Sequence, residues 1–182
     1  MPIKAFASAK ARLAQVLSPE ARTALAMQCA TTVLAAAGEL PVFVVCNDPE
    51  VAAWATQHGA TVVEPPRTGL NEAVEAGRNA ARQAGYARIL IVHSDLPNAS
   101  HLASLADVSA PVVIVPDRHD DGTNAMVVPT DVNFKFAYGV GSCNAHCVEA
   151  RRLGLRFCIV ARPDLALDLD TEDDLRAAGL LT

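Results

Sequence analysis

Ile89-Leu-Ile-Val-His-Ser-Asp-Leu-Pro97 is the stretch on which the reading of this chain turns. Four consecutive apolar residues, mostly β-branched, are too few for a helix and suit a strand covered on both faces. The run breaks off in His93, Ser94 and Asp95, and Pro97 stops the strand from continuing. Such a strand predicts a parallel sheet, with Asp95 one step past its carboxyl end. Ligands of open α/β sheets bind along that edge. Asp95 is therefore either an acid offered to a ligand or a cap for the next turn.

The segments on both sides extend the pattern. Pro41-Val-Phe-Val-Val-Cys46, Ala60-Thr-Val-Val-Glu64, Pro111-Val-Val-Ile-Val-Pro116 and Phe157-Cys-Ile-Val160 are further short apolar runs, and Ala125-Met-Val-Val128 is another apolar segment. Phe134-Lys-Phe-Ala-Tyr138 reads as a strand by alternation. Helix signals lie between them. Ser18-Pro-Glu20 and Asp48-Pro-Glu50 each join a capping side chain, a first-turn proline and an acid facing the dipole. Gly38, Gly59, Gly85 and Gly154 serve as stops, a short helix covers residues 101–106, and Thr171-Glu-Asp-Asp174 caps a last one. Alternating strands and helices predict an α/β three-layer sandwich with a mostly parallel central sheet, in one domain over residues 1–182. Met1-Pro-Ile-Lys4 leaves room only for a very short first strand.

Composition narrows the function. The net charge is −5 and no segment clusters Lys and Arg, which argues against a nucleic-acid surface. No apolar run approaches the ~20 residues of a membrane span. The N-terminus lacks the apolar core of a signal peptide, so the five cysteines are expected as reduced thiols in a cytoplasm.

The carboxylates that most need explaining are Asp95, Asp168 and Asp170. Each follows an apolar run, and Asp168-Leu-Asp170 sets two acids close enough to share one cation. Hard oxygen ligands in ones and twos, with room for phosphates and water, suit Mg²⁺. The competing reading makes Asp170, with Thr171, a cap for the last helix. Gly139-Val-Gly-Ser142 opens a helix and outlines an anion site of free N–H groups, dipole and hydroxyl. It lacks the third glycine of a dinucleotide fingerprint, and the chain holds no GxxxxGK[ST] loop. Cys143, His146 and Cys147 match no standard zinc spacing and read as packed helix residues. His93 is either a ligand contact or a satisfied histidine at a strand end. Lys4, Lys10 and Arg12 put three cations around a small-residue loop near the N-terminus.

Seven segments together resemble one family. Ala9-Lys-Ala-Arg-Leu13, Gly69-Leu-Asn71, Ser94-Asp-Leu-Pro97, Val115-Pro-Asp-Arg118, Asp121-Gly-Thr-Asn124, Phe136-Ala-Tyr-Gly-Val-Gly-Ser142 and Leu167-Asp-Leu-Asp-Thr171 occur in the order and spacing of the CofC/FbiD guanylyltransferases. The resemblance covers almost the whole chain. It implies a glycosyltransferase-A-like nucleotidyltransferase fold and transfer of GMP from GTP to the phosphate of a three-carbon phospho-acid, with release of pyrophosphate. Acceptors in the family are 2-phospho-L-lactate, phosphoenolpyruvate and 3-phosphoglycerate, and the product feeds assembly of coenzyme F-420 through a downstream transferase. A homodimer is compatible with it. The chain departs from the family in two places. A few apolar residues that usually precede Pro-Val-Lys are missing, so the first strand is clipped or the start misassigned. His93-Ser94 stands where Pro-Ala is usual.

The residue inventory suits this chemistry. A phosphate nucleophile is already ionised, so the work is charge neutralisation and alignment rather than base catalysis. Asp95, Asp168 and Asp170 would hold Mg²⁺, with Asp95, Lys10 and Arg12 at the reacting phosphates. Lys10 and Arg12, with Lys4, would meet the triphosphate. By resemblance Thr123, Gly139 and Ser142 would hold the acceptor, and Gly69 and Asn71 would contact guanine or ribose. Alternatives are a cytidylyl-, adenylyl- or sugar-phosphate nucleotidyltransferase, a glycosyltransferase using Asp168-x-Asp170, or a nucleotide-binding module without turnover.

Overall fold

Helices form where the capping chemistry puts them in the computed structural model, which describes residues 1–181. Ser18 Oγ accepts the Ala21 N–H and starts α1 (Pro19–Ala36). Asp48 accepts the N–H groups of Glu50 and Val51 at α2 (Pro49–Gln57). The remaining helices are α3 (Leu70–Gln83), α4 (Ser142–Arg152), the unforeseen single turn α5 (Pro163–Ala166), and α6 (Glu172–Ala177). The helix expected at residues 101–106 is a 3₁₀ segment, Leu102–Asp107.

Among the described residues six strands make two sheets. β1 (Phe43–Val45) and β2 (Thr61–Val63) pair in parallel. The larger sheet has the order β3 (Arg88–Val92), β5 (Thr123–Pro129), β4 (Val112–Pro116), β6 (Phe157–Ile159). β4 and β6 are parallel, whereas β5 runs against both β3 and β4. The strand expected to lie in a parallel ladder thus finds its only partner among the described residues in an antiparallel one. An apolar run reports burial, not direction. The reversal matters for the site, because it sets the start of β5 beside the end of β3: Val92 pairs with Ala125, and the His93 N–H donates to Asn124 O at 3.0 Å.

Side chains of this sheet alternate between two cores, as the period of two requires. Val92, Val113, Val115, Ala125 and Val127 face α1 and α2; Ile91, Val112, Ile114, Met126 and Val128 face α3 and α4. These are the three layers. Residues 134–138, expected as a strand, form no ladder. Their alternation is real, with Phe134 buried, but the N–H groups of Lys135, Ala137 and Tyr138 go to the side chains of Glu149, His146 and Asn71.

The first strand is reduced to one bridge, Pro2 to Val45. The Met1 amine is buried against Phe43 O at 2.9 Å, and burial pushes its pKa down to about 5. Beyond it β1 and β3 share no ladder. Their facing edges, with Val33 and Ala37 of α1 and Val74 and Ala81 of α3, enclose an apolar cavity of about 190 Å³. All five cysteines are unpaired. Among the described residues no helix is long and apolar enough to cross a membrane.

Candidate active site

Three carboxylates converge at the carboxyl end of β3. Asp95 comes three residues after Val92, the last residue of the strand. Asp168 and Asp170 lie between α5 and α6, flanking the fully buried Leu169, whose N–H donates to Asp95 O at 3.2 Å. That bond folds the loop against the strand end, and one oxygen from each acid comes within 4.8 Å of the others. Into this group reaches Lys10. Its Nζ is 2.9 Å from Asp95 Oδ2 and 3.2 Å from Asp170 Oδ1, with only 5% of the side chain exposed. Lys10 holds a left-handed backbone (φ 58°), uncommon for a residue with a side chain, and so aims inward from the cation loop.

Burial works to raise the Asp95 pKa, but the Lys10 ammonium, together with the other groups around the carboxyl, outweighs it and holds the carboxyl below its usual range. Burial likewise works against the Lys10 charge, yet the two carboxylates outweigh it and raise its pKa. Asp168 makes no ion pair among the described residues. Burial and then the neighbouring Asp95 charge push its pKa up, only partly offset by Asn124 Nδ2 at 3.4 Å. Asp95 Oδ1 is buried without a partner. An unpaired buried carboxylate oxygen within a set of hard donors is what a divalent cation such as Mg²⁺ would complete.

The capping reading of Asp170 is separated from this role. Thr171 and Asp174 make the capping box of α6, while the Asp170 carboxylate goes to Lys10. Asp174, unremarked in the sequence beyond its capping position, also accepts the Asp170 N–H at 3.1 Å and is itself gripped by Arg118 at 2.7 and 3.0 Å. It orients the backbone that presents Asp170. Asp174→Ala is expected to lower stability by about 1 kcal/mol for the lost cap and activity by roughly tenfold through Asp170. Melting curves and turnover on one variant check this; stability loss with unchanged turnover would leave Asp174 a cap alone.

The expected anion turn differs in detail. Asp117 accepts the N–H groups of His119, Asp121 and Gly122, a turn that needs glycine because a Cβ at 122 would lie 2.6 Å from Asp117 Oδ2. Asp121 then reaches α4: its Oδ2 accepts the Gly141 N–H and its carbonyl the Cys143 N–H, both at 2.9 Å, while the Ser142 N–H goes to Gly139 O. Of the N–H groups anticipated as free, those of Gly141, Ser142 and Cys143 are therefore occupied by the chain itself. Ser142 and Thr123 are buried, with their hydroxyls 3.5 Å apart, whereas Gly139, Val140 and Gly141 are exposed or nearly so.

Behind them His146 is fully buried. Its Nε2 accepts the Ala137 N–H at 3.2 Å, so the neutral ring carries its proton on Nδ1 and donates to Thr123 Oγ1 at 3.0 Å. Burial pushes its pKa down to about 4. With both nitrogens engaged and Cys143 and Cys147 in the apolar core, these three residues pack rather than ligate.

Asn124, unnoticed as a site residue, joins the two halves. It bonds Leu165 O, Ala166 O and Asp168 Oδ1, next in sequence to Thr123. On the other side Gly69 precedes α3 at φ 137°, and Asn71 Oδ1 accepts the Tyr138 N–H at 2.8 Å. Lys4 and Arg12 are exposed and make no ion pair among the described residues.

Known proteins resemble this chain throughout. Residues 1–180 match the family described as guanylyl transferase CofC like. A phosphoenolpyruvate guanylyltransferase of Chloroflexus aggregans is 35% identical over 188 aligned positions, covering 97% of this chain and 93% of that protein. A 3-phospho-D-glycerate guanylyltransferase of Phenylobacterium zucineum is 33% identical, covering 96% and 85%. A solved structure from Desulfovibrio desulfuricans G20, assigned to the nucleotide-diphospho-sugar transferases, superposes with a TM-score of 0.75 at 16% identity over 97% of this chain and 83% of that one. That last likeness is one of fold.

Proposed function

The chain belongs to the CofC-like guanylyltransferase family, and from that premise we propose that it transfers GMP from GTP to the phosphate of a three-carbon phospho-acid in a Mg²⁺-dependent reaction that releases pyrophosphate. The observation that carries this reading is the convergence of Asp95, Asp168 and Asp170 around Lys10. Phosphoenolpyruvate, 3-phosphoglycerate and 2-phospho-L-lactate are its candidate acceptors. The product would pass to the downstream transferase of coenzyme F-420 assembly.

Asp95, Asp168 and Asp170 would hold Mg²⁺, which when bound supplies positive charge to the nucleotide and acceptor phosphates. Lys10 already neutralises two of those acids and stands where its charge can serve the triphosphate. Arg12 and Lys4, exposed and unpaired, extend that positive edge outward. Gly69 and Asn71 are assigned to the guanosine. The acceptor's phosphate faces Asp95, and its carboxylate faces residues 139–142. Gly139 contributes exposed backbone there, while Thr123 and Ser142 support the turn from beneath. No general base is required, and the buried His146 is not free to act as one.

The test supplies GTP, Mg²⁺ and each of the three acids and identifies the product by mass. A guanylylated acid with stoichiometric pyrophosphate is expected; GTP affinity without pyrophosphate release would make the chain a binding module. Within this scheme Arg12→Ala should raise the GTP KM several-fold and leave the acceptor KM nearly unchanged, because an exposed guanidinium contributes mainly to the phosphates. A rise in the acceptor KM alone would move the loop to the other ligand.

A further inference from the structure

The buried side-chain atoms without a hydrogen-bond partner are of two kinds. Arg22 Nε and Arg88 Nε belong to guanidinium groups that bond backbone carbonyls through their other nitrogens. His93 Nε2, Asp95 Oδ1 and Tyr138 OH form the second kind: two of them belong to rings that meet, and the third lies two residues from His93. Native proteins keep few such atoms, and each calls for an ion, water or ligand. A cation accounts for Asp95. The other two have no use in the scheme above.

Their positions are informative. The rings of His93 and Tyr138 lie 5.2 Å apart between centroids, and Tyr138 also meets His146 at 4.8 Å. His93 stands two residues before Asp95, and Tyr138 immediately precedes Gly139. Along the chain one ring is thus close to the acid given to the acceptor's phosphate, the other to the turn given to its carboxylate. The two rings meet each other and so bring those two stretches together. Both are tethered through their backbone, His93 to Asn124 O and Tyr138 to Asn71 Oδ1. Burial pushes the Tyr138 pKa up, which keeps the phenol protonated.

We infer that His93 and Tyr138 determine acceptor specificity by receiving a hydroxyl carried between the phosphate and the carboxylate, favouring a phosphorylated hydroxy acid of the phosphoglycerate type. A hydroxyl offers one proton and two lone pairs, so a single group satisfies an imidazole nitrogen and a phenol together. A methyl or methylene group at that place leaves both unpaired, and sites built for a hydroxyl discriminate strongly against analogues without one. The inference rests on the guanylyltransferase reading and its placement of the acceptor.

The experiment measures kcat/KM at saturating GTP and Mg²⁺ for 3-phosphoglycerate, phosphoenolpyruvate and 2-phospho-L-lactate, in the wild type, Tyr138→Phe and His93→Leu. The wild type should prefer 3-phosphoglycerate by at least about tenfold, and each variant should lose about tenfold more on that acid than on the other two. Melting temperatures identify any variant that has simply unfolded; Tyr138→Phe, which removes one atom, is the decisive one. A wild-type preference for phosphoenolpyruvate or phospholactate overturns the inference. So does an equal loss on all three acids, the result expected if the two atoms hold only water. Either outcome leaves guanylyl transfer standing, because an acceptor is still turned over. No product with any acid overturns both readings.

Discussion

Asp95→Asn is expected to lose roughly 10²–10³-fold in turnover while remaining folded. The substitution is isosteric, so the packing that buries Leu96 and Leu169 around it is kept. What disappears is one negative charge from a group of three and, with it, the strongest partner of Lys10. The fold tolerates that loss, because Lys10 keeps Asp170 and the repulsion that raises the Asp168 pKa is relieved. The reaction does not tolerate it, because the buried Oδ1 is the donor that a bound cation would need. Turnover against Mg²⁺ concentration, beside a melting curve, makes the test. Full metal-dependent activity in the Asn variant would remove Asp95 from the catalytic set.

Lys10→Met should act most strongly without metal. The methionine keeps the apolar stem but leaves the three acids with no cation of the protein's own. Removing one partner of a buried ion pair costs about 3–5 kcal/mol. Asp95 is 24% and Asp170 47% exposed at the side chain, so the expected loss lies at or below the low end of that range, several degrees in Tm. Millimolar Mg²⁺ should recover most of it, since a ligand that binds only the folded state stabilises it by mass action. The pH dependence has a definite sign. Asp95 has a depressed pKa, so its contribution is present above the ordinary carboxylate range and fades as pH falls below it; Lys10 has a raised pKa, so its contribution is lost only in strong alkali. The difference between wild type and variant should thus be full near neutrality and shrink in acid. An unchanged Tm in EDTA would show that Lys10 does not neutralise the acids. No greater rescue by Mg²⁺ than in the wild type would show that they do not hold the ion.

What could be read from the sequence was local. Ser18, Asp48 and Thr171 cap helices because each side chain reaches an N–H only two or three residues ahead, and the apolar runs at residues 89–92 and 112–115 announced strands covered on both faces, which the structure divides between two cores because a strand turns each side chain to the opposite face. Asp95 and the Asp168-x-Asp170 pair stood out for the same reason, as acids following apolar runs. Partners far along the chain left no such trace. Lys10 reaches Asp95 across 85 residues and Asp170 across 160, so a cation expected at the triphosphate is also clasped by two acids. Asp121 fills the start of α4, Asn124 ties Asp168 to Thr123, and His93 meets Tyr138, each through a loop whose path periodicity does not record. The direction of β5 belongs to the same class. A run of apolar residues is buried equally well either way, and only the packed sheet decided that Thr123 and Asn124 would stand at the edge where Asp95 emerges.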